Sequence, residues 1–182
     1  GTTNFLHSIP HFAISVALER GKDIVAGLVY NPVQDELYWA ERGQGAFLNE
    51  RRLRCSARRD LSASVIGTGI PFQTRGDHPA YLRGLSAVMA RTAGVRRMGS
   101  AALDLAYVAA GRFDAFWEFG LSPWDIAAGM LMVREAGGFV EDIEGRESVM
   151  ATGNIIAANG HLLGPLGRVL RGAAKESPQS PA

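Results

Sequence analysis

Cys55 is the single cysteine in 182 residues, so no disulfide can form within the chain. A lone thiol fits a reducing, cytoplasmic setting better than a disulfide-stapled scaffold. No apolar run approaches the roughly 20 residues that span a bilayer, so no membrane-spanning helix is expected. The opening residues lack the basic and apolar regions of a secretory leader. Net charge is only +1, which supplies no global field for a polyanion. Zinc is disfavoured: His7, His11, His78 and His161 follow no zinc-site spacing, and no second cysteine helps. There is no Gly-x-Ser-x-Gly elbow, so a serine hydrolase of that kind is excluded. The stretch from Gly99 to Gly111 holds no phosphate-loop lysine, which excludes that route to nucleotide hydrolysis. Lysine itself is scarce. Of 19 basic residues only Lys22 and Lys175 are lysine, which with the abundant Ala and Gly suggests a GC-rich bacterial genome.

What remains is the composition of a globular protein, 47% hydrophobic and 20% charged with mean hydropathy +0.01. The length suffices for one substantial core. The one local charge concentration is Arg51, Arg52, Arg54, Arg58 and Arg59. Its plain reading is a strand and loop with a solvated face. The alternative is contact with RNA or an acidic protein, although no aromatic residues alternate with these arginines to stack on bases.

Along the chain, Phe12, Ile14, Val16 and Leu18 alternate as in a strand, and Ile24 to Tyr30 pairs with it as a hairpin. Glu36 to Ala40 and Ala46 to Leu48 continue an antiparallel sheet. The pattern then changes. Strands are expected at Ser64–Thr68, Val95–Met98, Phe113–Phe119, Phe139–Asp142 and Asn154–Ala158. Helices are expected at His78–Thr92, Ser100–Ala110, Ser122–Ala136 and Gly160–Leu170. This alternation predicts an α/β half with partly parallel strands. The expected division is an antiparallel-sheet half over residues 1–60, an α/β half over 61–175, and a disordered tail over 176–182, where two prolines and two serines gather.

Two separated segments carry the chemistry. The first is Gly1-Thr2-Thr3-Asn4-Phe5. The second is Trp124-Asp125-Ile126-Ala127-Ala128-Gly129, followed by Glu135-Ala136-Gly137-Gly138. Ser122-Pro123-Trp124-Asp125 is a strong helix start, so Asp125 has a plain role in a capping box. A carboxylate so placed is also rigidly aimed, with a free oxygen that can bind Mg²⁺. Gly-Thr-Thr reads either as a polar loop or as an anion cradle of backbone N–H groups. Met98-Gly99-Ser100-Ala101-Ala102 reads as a glycine turn and a capped helix start. Glu118 ends an otherwise apolar strand, where an acid is costly to bury without a task or partner. Gly67 to Phe72 is expected to face the same cleft.

In this order the two segments resemble the signatures of the inositol monophosphatase family of Mg²⁺-dependent, lithium-sensitive sugar phosphatases. There the first signature reads Asp-Pro-(Leu/Ile)-Asp-Gly-Thr-x-Asn-Phe, and this chain opens at its glycine. The resemblance implies alternating layers of helices and sheets, an α+β layered architecture, with the helices preceding the first sheet missing. It also implies an exposed apolar sheet face inviting a homodimer. It implies hydrolysis of a phosphate monoester by a metal-activated water, with Mg²⁺ as cofactor. Asp125 would be a metal ligand that also meets substrate, and other ligands would lie upstream of Gly1. The backbone at Gly1 and Thr2 would hold the phosphate, and the Thr2 hydroxyl would orient the water. Gly99, Ser100, Ala101 and Glu118 would meet the hydroxyls of a small phosphorylated polyol. Inositol 1-phosphate is the favoured substrate. Relatives act on histidinol phosphate, fructose 1,6-bisphosphate or 3′-phosphoadenosine 5′-phosphate. The rival readings are a regulatory relative contacting RNA or RNA polymerase through the arginine run and Arg96-Arg97, or a fragment without catalysis.

Overall fold

The computed structural model describes residues 1–71, 76–145 and 149–175. The expected tail at 176–182 and Phe72 of the expected cleft loop lie outside the described residues.

The chain opens with α1 (Thr2–Leu6) and then forms an antiparallel sheet of β1 (Ile14–Arg20), β2 (Asp23–Asn31), β3 (Glu36–Glu41), β4 (Gly45–Leu48) and β5 (Arg51–Arg52), paired in that order. The helix α1 departs from the loop or cradle expected there. It holds five residues and no side chain caps it. Asn4 holds it instead: its Nδ2 donates to the carbonyls of His11 at 2.8 Å and Met98 at 2.9 Å. A residue 94 positions away thus fixes the first turn, which local pattern could not reveal.

The remainder comprises β6 (Val65–Thr68), α2 (His78–Met89), β7 (Gly94–Arg96), α3 (Ala101–Ala109), β8 (Ala115–Glu118), α4 (Pro123–Glu135), β9 (Phe139–Glu141), α5 (Val149–Thr152), β10 (Ile155–Ala158) and α6 (Leu163–Lys175). The second sheet runs β7-β6-β8-β10-β9. Its β6 is parallel to both β7 and β8, while β10 is antiparallel to β8 and β9. The partly parallel sheet expected from the alternation is therefore present.

The layers follow from which faces are apolar. The buried residues of α3 and α4 form one core with the inner face of the first sheet (Val29, Tyr38, Ala40, Ala46 and Leu48) and with Phe116, Ile155 and Ala157 of the second. A second core joins Ile66, Ala115, Trp117 and Ile156 to Tyr81 and Val88 of α2 and Leu166 and Leu170 of α6. The order is sheet, helices, sheet, helices. Small residues set the spacing of the middle layer. A Cβ at Gly27 of β2 would lie 2.8 Å from the Ala128 Cα, and one at Gly129 would lie 2.5 Å from the Leu105 Cβ. The run Ala127-Ala128-Gly129 thus lets α4 approach both β2 and α3 closely.

Polar clamps tie the halves together. Both Glu135 carboxylate oxygens accept backbone N–H groups of the β3–β4 turn, from Gly43 and Gly45, each at 2.8 Å. Asp114 is buried, accepts the Val65 N–H at 2.8 Å and pairs with Arg58 at 3.2 Å. The Arg112 guanidinium bonds Glu36 and donates to the Tyr38 hydroxyl at 2.7 Å. Burial raises the Cys55 thiol to about 12, partly offset by the Gly138 backbone. Among the described residues no helix is long and apolar enough to cross a membrane.

Candidate active site

Helix α4 starts with Ser122 at its N-cap and Pro123 in the first turn. Asp125 Oδ2 accepts the Ser122 N–H at 3.1 Å. The capping role is therefore present, and it occupies one oxygen. The other makes no hydrogen bond among the described residues, and Asp125 lines a cleft of about 330 Å³ between this helix start and the loop after β6. Its lining includes Ile70, Pro71, Glu118, Ser122 and Asn154. The expected cleft segment is not all cleft: Gly67 lies in β6, where a Cβ would meet the rings of Phe113 at 2.8 Å and Phe116 at 3.2 Å.

Glu118 reaches the cleft from the end of β8. Among the described residues no hydrogen bond ties its carboxylate. Burial lifts its pKa to about 7, the neighbouring Asp125 charge adds to the lift, and Arg97 draws it back. Behind it stands Asp104, in the first turn of α3 and only 1% exposed. Neither of its oxygens has a hydrogen-bond partner. Burial, then the Glu118 charge, hold its pKa well above the usual carboxylate range, and Arg97 counters this only in part. The Gly1 nitrogen belongs to the same neighbourhood. The charges of Asp125, Asp104 and Glu118, in that order, act on it.

The start of α3 adjoins α1. Gly99 has φ +86°, and a Cβ there would meet Arg97 Nη1 at 3.0 Å and Asn4 Nδ2 at 3.1 Å. Ser100 is the buried N-cap and Ala101 the first helical residue. The charges of Asp125, Glu118, Asp104 and Arg97 thus act on one another in this region, and burial and mutual repulsion favour the protonated forms of Glu118 and Asp104.

The arrangement matches a known family. The inositol monophosphatase family model fits residues 1–177. The chain belongs to the inositol monophosphatase family. It is 60% identical over 171 residues to an inositol-1-monophosphatase of Rhizobium meliloti, covering 94% of this chain and 64% of that protein. It is 50% identical to the Nus factor SuhB of Pseudomonas aeruginosa, covering 87% of this chain and 59% of that one. The crystal structure of the extragenic suppressor protein suhB from Bartonella henselae superposes with a TM-score of 0.91 at 59% identity, covering 94% of this chain and 66% of that chain. The chain thus spans less than two thirds of the length of these relatives.

Within this family member, the structure brings Gly1, Glu118 and Asp125 into one electrostatic neighbourhood. It joins the Met98–Ala101 segment to α1 through Asn4. Thr2, the first residue of α1, is exposed. Asp104 escapes the sequence reading, which places Arg97 only in a partner-contact surface and Gly69 only in the cleft segment. For Asp104 a signal existed. It is the one charged residue in the apolar run from Ala101 to Ala110, the same oddity that drew attention to Glu118. The arginine run is mostly surface. Arg51, Arg52, Arg54 and Arg59 are exposed, Arg52 lies 5.9 Å from the Phe47 ring centroid, and Arg58 pairs with Asp114.

Proposed function

We propose that this chain forms the greater part of a Mg²⁺-dependent phosphate monoester hydrolase acting on a small polyol phosphate, with myo-inositol 1-phosphate as the favoured substrate. The carrying observation is Asp125: one oxygen is fixed by the Ser122 N–H, the other has no hydrogen-bond partner among the described residues, and the residue lines the same cleft as Glu118. Mg²⁺ takes one or two carboxylates and fills its shell with water and phosphate oxygens. The open oxygen of Asp125 fits that demand. Among the described residues no group of three His, Cys, Asp or Glu side chains could hold a metal by itself, so Asp125 contributes one ligand of a larger set. When bound, the ion would lower the pKa of a water and neutralise charge on the leaving alkoxide.

The chain's own residues do the rest. Backbone N–H groups at Gly1 and Thr2 hold the phosphate oxygens, and the Thr2 hydroxyl aims the attacking water. The water oxygen attacks phosphorus in line, the P–O ester bond breaks, and the alkoxide leaves to take up a proton. The Glu118 carboxylate accepts hydrogen bonds from polyol hydroxyls, alongside Gly99, Ser100 and Ala101 at the start of α3. The working setting is the cytoplasm, with a homodimer as the assembly.

The test is phosphate release from inositol 1-phosphate. Activity should require Mg²⁺, vanish in EDTA and fall with Li⁺. Asp125→Asn should lower it by more than about 100-fold, because residues that merely orient a metal ligand are already worth about 10- to 100-fold. Full activity in EDTA, or an unaffected Asn variant, would sink the assignment.

One observation favours a second role: the 50% identity to a protein named Nus factor. The exposed Arg51, Arg52, Arg54 and Arg59 would then contact the transcription machinery. Capture of RNA polymerase that persists for the wild type and weakens when these four become glutamine supports it. Equal capture by both rejects it.

A further inference from the structure

We propose that Gly69 is a positioning residue: by carrying no side chain it makes the seat for the Glu118 carboxylate, and through that seat it sets the preference for polyol phosphates. The inference rests on the reading of Glu118 given under Proposed function. Its basis is steric. Gly69 directly follows β6, whose Thr68 is paired with Trp117 of β8, so residues 69 and 118 rise side by side at the ends of two parallel strands. A Cβ at Gly69 would lie 2.0 Å from Glu118 Cδ, 2.0 Å from Oε1 and 2.3 Å from Oε2. All three carboxylate atoms therefore occupy the space a side chain would need.

The backbone gives no other reason for glycine. Gly69 is absent from the positive-φ glycines, so its conformation is open to any residue. Space alone requires it. No hydrogen bond among the described residues tethers the Glu118 carboxylate. Packing against the bare backbone at Gly69 keeps it in place, with both oxygens left to accept from a ligand. Ile70 and Pro71, the next two residues, continue the cleft wall. Since the atoms that an added methyl would meet are the far end of a flexible side chain, the side chain will yield rather than the fold. Gly69→Ala should therefore leave the protein folded and swing the carboxylate out of its seat.

The experiment is a double-mutant cycle in the full chain, with Mg²⁺ and two substrates: inositol 1-phosphate and an aryl phosphate, which offers no hydroxyls. Glu118→Gln and Gly69→Ala should each raise KM for the polyol phosphate by about 10-fold or more relative to the aryl phosphate, since a hydrogen bond to a charged group is worth about that much. The double variant should be no worse than Glu118→Gln alone. Additive losses would mean that Gly69 acts elsewhere and would overturn the proposal. Gly69→Ala combined with Glu118→Asp, which draws the carboxylate back by one methylene, should regain part of the preference. A crystal structure of Gly69→Ala supplies a readout free of activity. A displaced carboxylate supports the seat, and an unmoved one overturns it. If Glu118→Gln loses equally on both substrates, the polyol reading fails instead, and the displaced or unmoved carboxylate still decides the seat.

Discussion

The two sheets of this molecule are treated differently by their surroundings. In the second sheet all four residues of β10 are buried, and Ala115, Phe116 and Trp117 of β8 are fully enclosed. Helices α3 and α4 cover one face and α2 and α6 the other. Among the described residues the first sheet is covered on one face only. On the other, Ile14, Val16 and Leu18 are 57%, 53% and 55% exposed, and Leu28 and Trp39 lie beside Val16 in register. A strand buried on both faces needs a continuous apolar run, and Ile155-Ile156-Ala157-Ala158 supplies one. A sheet facing water on one side ordinarily alternates apolar with polar. The first sheet does not: its outer face is as apolar as its inner one, the composition of a surface that is meant to be covered.

The largest expected effect tests the enclosed sheet. Trp117 is fully buried, stacks on Tyr81 at 5.2 Å and meets Phe119 edge-on at 5.5 Å. Trp117→Ala should cost ~3–5 kcal/mol in urea unfolding, the usual penalty for emptying so large a site. Its indole Nε1 is buried without a partner, so the loss includes no hydrogen bond and belongs at the lower end. A cost under about 1 kcal/mol would break the picture of a sheet closed on both sides.

A middle-sized effect concerns charge, a burden that only the enclosed side carries. Asp104 is buried without hydrogen bonds behind Glu118 at the end of the second sheet. Its folded pKa is raised, so the fold favours the neutral acid. The stability tied to this group is fully present below the unfolded pKa, about 4. It is lost as pH rises through the folded value. Asn cannot ionise. Asp104→Asn should therefore gain in melting temperature relative to wild type as pH is raised from 4 to 8, while the two differ least at the acid end. A difference constant with pH would show that Asp104 is paired in solution.

The sheets also differed in how well the sequence disclosed them. Period-two alternation located β1 and β2 within one or two residues, and continuous apolar runs located β8 and β10, because burial pattern follows directly from residue type. The missed elements are those that local pattern cannot carry. Helix α1 is five residues long and is fixed by Asn4 bonding to Met98. Helix α5 holds only four residues, Val149 to Thr152, too few to show a period. At the cleft, the capping role of Asp125 was legible because a capped helix start is a local signal. Glu118 was legible as an acid in an apolar strand. Gly69 was not, since a glycine that exists only to leave room for a carboxylate 49 positions away has no local signature, and the clash distances at its Cβ arise only when β6 and β8 lie side by side.

The smallest expected effect lies on the open face, and it decides whether that face is open in solution. Leu18→Thr keeps a residue suited to strands while removing apolar surface. With Leu18 at 55% exposure, the substitution should change stability by no more than about 0.5 kcal/mol, as surface changes usually do. It should also lower binding of a hydrophobic dye that reports exposed apolar patches. A cost of about 2 kcal/mol would instead be the penalty for removing a buried leucine. That outcome would mean that the face is covered in solution, and sedimentation of the variant would then identify the cover. If a second copy supplies it, Leu18→Thr shifts the protein toward monomer. If the mass stays that of a monomer while stability falls, the cover comes from the same chain, and the two sheets are then enclosed alike.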